Sequence, residues 1–327
     1  MTASEPSVAE LRALYAQARG SGRVRWIHLQ GLALDDRSHT ALLRALAGAS
    51  AGAGELDLSG NTVVLDWTSV RECSAEGFAL FHIVARMFAG AGAQVYVLPP
   101  TVSDVLAIVD APEFRAGCVG AIWVDGGADP ANRVVALGCV GAFASRERGT
   151  IAAFCASFER ALSRLAMPAD LSGLLNAIAL EVVQNVKTHA RASHAAILGL
   201  NFHRMRPGLV EIGVADDGRG ITDSLLDQAA HRRMERYLDV SVVETLFQRN
   251  LSSRSSGSDD PNALAVGGFG ALLAELFAKA SVTVLLRSHR VLIELASDGR
   301  IRRSKTLASG VGTQLRIAVR LPQGSKR

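Results

Sequence analysis

Leu174–Ala190, LLNAIALEVVQNVKTHA, decides how the rest of this chain is read. Leu175, Ile178, Val182 and Val186 recur at helical spacing and predict one buried stripe. Glu181, Asn185 and His189 follow one another at steps of four. Each such step turns a helix by about 40°, so the three polar side chains share one face beside the stripe. Two readings are open here: the solvated polar edge of an amphipathic helix, or the wall of a cleft. Asn185 is a weak helix former in mid-helix, because its amide competes for the backbone. A polar line at the margin of a core is also where a cleft can open.

Working outward, Val214–Ile221 (VADDGRGI) ends a strand in an acid, Asp216, followed by Gly218 and Gly220. Glycines there permit a tight turn or the close approach of a flat ligand. Gly267–Gly270 (GGFG) opens a further helix, whose first N–H groups form an anion site when no side chain obstructs them. Ser309–Pro322 (SGVGTQLRIAVRLP) is a glycine turn feeding a strand through Gly312 and Thr313.

The remaining chain supplies the frame. Helices are predicted at Val8–Arg19, from a cap at Asp35 or Asp36 to about Leu46, at Glu76–Ala89 and at Val102–Val109. Strands are predicted at Val24–Leu29, Thr62–Asp66, Gln94–Leu98 and Ala121–Val124. Asp125–Arg133 (DGGADPANR) reads as a linker. Beyond it come helices at Arg146–Leu165 and Leu171–Ala190, broken at Pro168. Strands at His194–Phe202 and Leu209–Ala215 precede a helix at Gly268–Ala280. Val282–Arg287, Val291–Ala296 and Thr313–Leu321 close the chain as strands.

At 327 residues, and roughly 150 residues per domain, about two domains are expected. Hydrophobic residues make up 49% and charged ones 20%, which excludes general disorder. The net charge of +4 is spread out and does not argue for nucleic acid. No apolar run approaches the ~20 residues of a membrane span, and Met1–Glu10 lacks a secretory pattern. The four cysteines, Cys73, Cys118, Cys139 and Cys155, show neither CxxC spacing nor a disulfide framework. A cytoplasmic protein is the expectation.

In their order and spacing, Glu181-x-x-x-Asn185-x-x-x-His189, Asp216-x-Gly218-x-Gly220, Gly268-x-Gly270 and the Gly312–Thr313 strand resemble the GHKL superfamily of ATP-binding domains. That superfamily includes histidine kinases, anti-sigma-factor kinases and type II topoisomerases. The resemblance covers about Arg146–Pro322. It implies ATP and Mg²⁺ as ligands. Asp216 would accept a hydrogen bond from the adenine amino group, with Gly218 and Gly220 leaving room for the ring. Asn185 would offer its amide oxygen to Mg²⁺. Glu181 would act as general base. His189 belongs to the first motif as a helix residue. Gly268 and Gly270 would present N–H groups to the phosphates, and Thr313 would support Asp216 or the adenine. Ile221–Val266 would be a lid, with Arg249 or Arg254 reaching the γ-phosphate. Ala265–Val266 stand where many relatives carry glycines, a departure that bears on lid closure and turnover.

Val63–Trp67 (VVLDW), the helix from Phe78 to Gly92 and the strand QVYVLPP at Gln94–Pro100 resemble a STAS domain, the fold of anti-sigma-factor antagonists. The usual phosphoacceptor slots hold Ala75 and Glu76, with Ser74 one step early; two readings are open, a lost acceptor with Glu76 supplying a permanent charge, which is favoured, or Ser74 serving in its place. The expected fold is therefore α/β throughout: a STAS-like α/β domain at 1–124, a linker at 125–133, and a GHKL (Bergerat) sandwich of helices on a mixed sheet at 134–327. Its implied role is an ATP-binding regulator of the partner-switching type with serine/threonine kinase activity. The alternatives are a non-catalytic, nucleotide-dependent binding module and an ATPase. A clamp-type ATPase ranks behind them because no transducer domain follows Pro322. An autophosphorylating sensor kinase is disfavoured because no histidine lies between His82 and His189. Partners would be proteins bound through the STAS-like domain, or a second copy of the chain. Neither nucleic acid nor a membrane is expected.

Overall fold

The computed structural model describes residues 6–18, 21, 23–29, 58–110, 114–115, 118, 121–124, 138–144, 148–163, 167–186, 190–201, 208–221, 269–288, 291–306 and 312–321. The helix capped at Asp35 or Asp36, the linker, His189, Gly268, Arg249, Arg254 and all of the lid beyond Ile221 lie outside them. The chain divides into two compact units, Met1–Ala136 and Leu137–Arg327.

The first unit is built on a parallel sheet in the order β1 (Val24–His28), β2 (Thr62–Asp66), β3 (Gln94–Leu98), β4 (Ala121–Trp123). Parallel strands need crossover connections, and α2 (Ala75–Gly90) and α3 (Ser103–Val109) follow β2 and β3. Both faces of β2 are covered, which explains its unbroken apolar run. On one face, Leu11 of α1 (Val8–Gln17) packs with Val64, Tyr96 and Leu98. A capping box between Ser7 and Glu10 opens α1. On the other face, Phe81 of α2 meets Trp67 edge-on at 4.5 Å and lies 6.3 Å from Trp123.

The second unit carries a seven-stranded sheet. Its strands are β5 (Gly138–Ala144), β6 (His194–Asn201), β7 (Leu209–Asp216), β8 (Ser281–Ser288), β9 (Val291–Leu295), β10 (Ile301–Thr306) and β11 (Thr313–Arg320). Their order is β10-β9-β8-β11-β7-β6-β5, and every pairing is antiparallel. This corrects the mixed sheet expected for the second unit. β8, β9 and β10 follow one another along the chain as antiparallel neighbours, and β11 returns between β7 and β8. The helices α4 (Arg148–Ser163), α5 (Ala169–Asn185) and α6 (Phe269–Lys279) share a core with one face of this sheet. Leu175, Ile178, Val182 and Val186 are all buried in that core, as the helical period requires. Gly199 lets the Phe158 ring lie directly on β6. The opposite face is polar at its centre, with an Arg316–Glu211 ion pair and buried Arg287 and Gln314. Among the described residues, no helix is long and apolar enough to cross a membrane.

Candidate functional site

The register of the second sheet gathers four strand ends. Ala195 at the start of β6 pairs with Asp216 at the end of β7, and Gln314 near the start of β11 pairs with Ala215. Thr313 pairs with Ser288, the last residue of β8. Asp216 is therefore beside Thr313, although 97 positions separate them. Its Oδ1 accepts the Thr313 N–H at 3.2 Å and the Gly218 N–H at 2.8 Å. The carboxylate is buried, at 2% exposure. Two backbone donors on one oxygen fix the carboxylate in orientation and compensate its removal from water.

Glycines close this corner. Gly312 has φ +52°, and a Cβ built on it would overlap the Asp216 carbonyl oxygen and lie 2.6 Å from Oδ1. Gly218 gives the space of its missing Cβ to the carbonyl of Ala190, just beyond α5, and the Arg219 N–H donates to that carbonyl at 2.9 Å. Gly220 sits at φ +74°, where glycine alone is unstrained. Ile221 N–H then donates to Ser288 Oγ at 2.7 Å. The loop after β7 is thus fastened to the end of α5, to β11 and to β8.

Glu181 and Asn185 are half-buried, one turn apart on α5, and Asn185 is the last residue of that helix. Among the described residues, no side-chain hydrogen bond ties either of them to Asp216, Gly218 or Thr313. Gly270 is buried in the first turn of α6. Lys279, at the other end of α6, bonds Asp170 in the first turn of α5 at 3.0 Å. Two packed helices joined end to start in this way run in opposite directions. At 1.5 Å per residue, the start of α6 comes level with the Glu181 turn of α5. The sheet corner at Asp216, the end of α5 and the start of α6 therefore lie at one end of the unit.

Sequence reading took Gly312 only as part of the turn before Thr313, and it missed Ser288 and the pair His194 and Asp217. His194 Nδ1 lies 2.9 Å from Asp217 Oδ2, and the His194 backbone N–H donates to Asp217 Oδ1 at 2.9 Å. The one signal for that pair was the doubled acid Asp216–Asp217. In the first unit, Ser74 and Glu76 are both buried, and the Ser74 hydroxyl donates to the Glu76 carboxylate. Ser74 occupies the N-cap of α2 without bonding the backbone there. Among the described residues, no group of three or more His, Cys, Asp or Glu side chains is placed to hold a metal ion.

Together these features define a class: a two-unit α/β protein with a buried carboxylate at the open end of an antiparallel sheet layered with helices. No protein-family model matches the sequence. No curated protein matches it either. A search of solved structures finds the crystal structure of the N-terminal domain of a DNA repair protein, at 22% identity and a TM-score of 0.16. That match covers 33% of this chain and 27% of the other, so this chain spans about a quarter of its length. At that TM-score the likeness carries no argument about fold or function.

Proposed function

We propose that the unit Leu137–Arg327 is a GHKL-type site for an adenine nucleotide, and that the chain is an ATP-binding regulator of the partner-switching type. The observation that carries this reading is the buried Asp216 carboxylate, oriented by Gly218 and Thr313 and floored by Gly312. A carboxylate is an acceptor only, so it selects the amino group of adenine and repels the carbonyl that guanine offers in the same place. Gly312 lies directly against the Asp216 backbone and Oδ1, which leaves no room for a Cβ and holds the carboxylate in place.

Asn185 would hold Mg²⁺ through its amide oxygen. A single neutral ligand fits a hard cation that keeps several waters and arrives with the phosphates. Glu181 would accept the proton of an attacking water or hydroxyl. The N–H groups at the start of α6, including that of Gly270, would meet the phosphates. Bound ATP supplies a transferable phosphoryl group; the protein supplies position, charge and the base.

The STAS-like reading of the first unit rests on its parallel sheet and on α2 following β2. We assign it the docking of a protein partner without a usable phosphoacceptor at 74–77. Ser74 and Glu76 bond each other below the surface, so a kinase would have to open the first turn of α2 to reach the hydroxyl.

Calorimetric titration tests the site. Asp216→Asn is expected to weaken ATP binding by about a hundredfold and to erase the preference over GTP, since a hydrogen bond to a charged group contributes roughly 1.5–3 kcal/mol. Equal affinity of parent and variant sinks the assignment. With γ-labelled ATP, Glu181→Ala should keep its affinity within about twofold and lose both phosphate release and protein labelling, because a base acts on the developing bond. Asn185→Ala should bind ATP equally with and without Mg²⁺. Full turnover in Glu181→Ala would leave the polar face of α5 as a solvated helix edge.

A further inference from the structure

We infer that Asp217 and His194 form a positioning clamp that aims Asp216, an inference that rests on the nucleotide reading of the Asp216 corner. Successive strand residues point to opposite faces of a sheet. Ala195 and Asp216 pair on the face that carries α5, so His194 and Asp217, one step further on, belong to the other face. Asp217 therefore stands on the sheet face opposite the Asp216 side chain.

Its bonds are unusually complete. The carboxylate takes the His194 backbone N–H on Oδ1 and the His194 ring on Oδ2, both at 2.9 Å, while Asp217 N–H donates back to His194 O at 3.2 Å. The Asp217 side chain is 8% exposed. These three contacts lock the end of β7 to the start of β6 at the point where the ladder stops. The next residues are then held in turn: Gly218 N–H by Asp216, Arg219 N–H by Ala190, Ile221 N–H by Ser288. In this run, the Asp217 side chain secures the loop from the face opposite Asp216. Removing it frees the backbone next to Asp216 and leaves Asp216, Gly218 and Thr313 chemically unchanged.

The clamp turns two adjacent acids into two different tools. Asp216 addresses the nucleotide, and Asp217 holds the strand from which it does so. The turn that delivers His194 shows a related constraint: Arg191 adopts φ +50°, a left-handed conformation uncommon for a residue with a Cβ. The path from α5 into β6 is bent so that both Ala190 O and His194 N–H reach the loop after β7.

The test uses the full chain. In Asp217→Ala, amide hydrogen exchange at Gly218 and Thr313 is expected to rise at least about tenfold, with the interior of α6 and the first unit unchanged. Titration with Mg²⁺-ATP should show affinity lowered by about tenfold, the effect of losing one charged hydrogen-bonded tie. Asp217→Asn keeps an oxygen for the His194 backbone N–H and should recover most of both effects. A merely structural role would instead raise exchange throughout the second unit and lower its unfolding temperature without a local signature. Should Asp217→Ala fail to fold, His194→Ala, which removes only the ring contact, should show a smaller rise at the same two amides. Unchanged exchange at Gly218 and Thr313 in the folded variant overturns the clamp. If the parent binds no ATP, the nucleotide reading falls, and the exchange measurement alone decides the clamp.

Discussion

Gly312→Ala is expected to cost the second unit about 3 kcal/mol or more and to remove nucleotide binding with it. Two terms add. At φ +52° a Cβ brings a left-handed penalty of roughly 1–2 kcal/mol. The added methyl also overlaps the Asp216 carbonyl oxygen and lies 2.6 Å from Oδ1, an overpacking that costs about 1–3 kcal/mol. The obstacle is backbone rather than the tip of a flexible side chain. Relief requires shifting β11 against β7, and the two are paired from Gln314–Ala215 to Arg320–Leu209. Gly208 provides the control. It has φ +74°, but a Cβ there would meet its nearest atom, Leu321 O, at an ordinary 3.6 Å. Gly208→Ala should therefore show only the left-handed term, about 1–2 kcal/mol. Denaturant titrations of both variants separate the two costs. A Gly312→Ala midpoint indistinguishable from that of Gly208→Ala would mean that Asp216 does not sit against Gly312.

What was legible in the sequence follows from how each element is buried. Thr62–Asp66 and Gln94–Leu98 are read to the residue, because both are interior strands of a parallel sheet with buried apolar centres, Val63–Leu65 and Val95–Leu98. Leu171–Ala190 is legible through its period, and the α-helix Ala169–Asn185 covers most of it. The strands Gly138–Ala144 and Ile301–Thr306 are missed, and the strand order gives the reason. Among the described residues they are the two edges of the seven-stranded sheet, each bonded on one side only. GCVGAFA is small and lacks alternation, while IRRSKT reads as a basic patch, since an edge strand can carry charge.

The candidate site divides along the same line. Asp216, Gly218 and Gly220 are visible as a motif, since they are neighbours in sequence. Gly312 had only the look of a turn residue, because its contact with Asp216 crosses nearly a hundred positions. His194 and Asp217 are 23 positions apart and form a pair only through the register of β6 on β7. Gly218 reads as room for a ligand ring, yet its missing Cβ is taken up by the Ala190 carbonyl. The glycine there answers to packing between the loop and the end of α5.

His82 carries the second large expectation: the first unit should lose stability steeply in acid. The ring is fully buried in α2, edge-on to Phe114 at 4.3 Å, and among the described residues neither ring nitrogen has a hydrogen-bond partner. Burial, reinforced by the positive charge of Arg86 one turn along, pushes its pKa down from 6.5 to about 3. The same Arg86 faces Cys118, whose buried thiol is pushed upward and stays neutral in acid. Because the folded value lies below the unfolded one, the unfolded chain binds a proton that the folded chain refuses between pH 6.5 and 3. Stability therefore falls as pH drops through that window and is level above it. Each unit contributes about 1.4 kcal/mol, which sets a ceiling of about 5 kcal/mol for this one group. The carboxyl of Asp66 adds in the same direction. Its burial is outweighed by hydrogen bonds from Thr68 and Trp26 and by His28, so its pKa is lowered. Comparing the parent with His82→Leu removes that background. The variant should be more stable at neutral pH by roughly 1–3 kcal/mol, since an unpartnered buried polar group is gone. Between pH 7.5 and 4.5 the parent should lose about 3 kcal/mol more than the variant. Urea titrations monitored by tryptophan fluorescence report on this unit directly, because Trp26, Trp67 and Trp123 all lie in it. Parallel stability curves for parent and variant across that range would show that His82 takes up its proton without leaving the core.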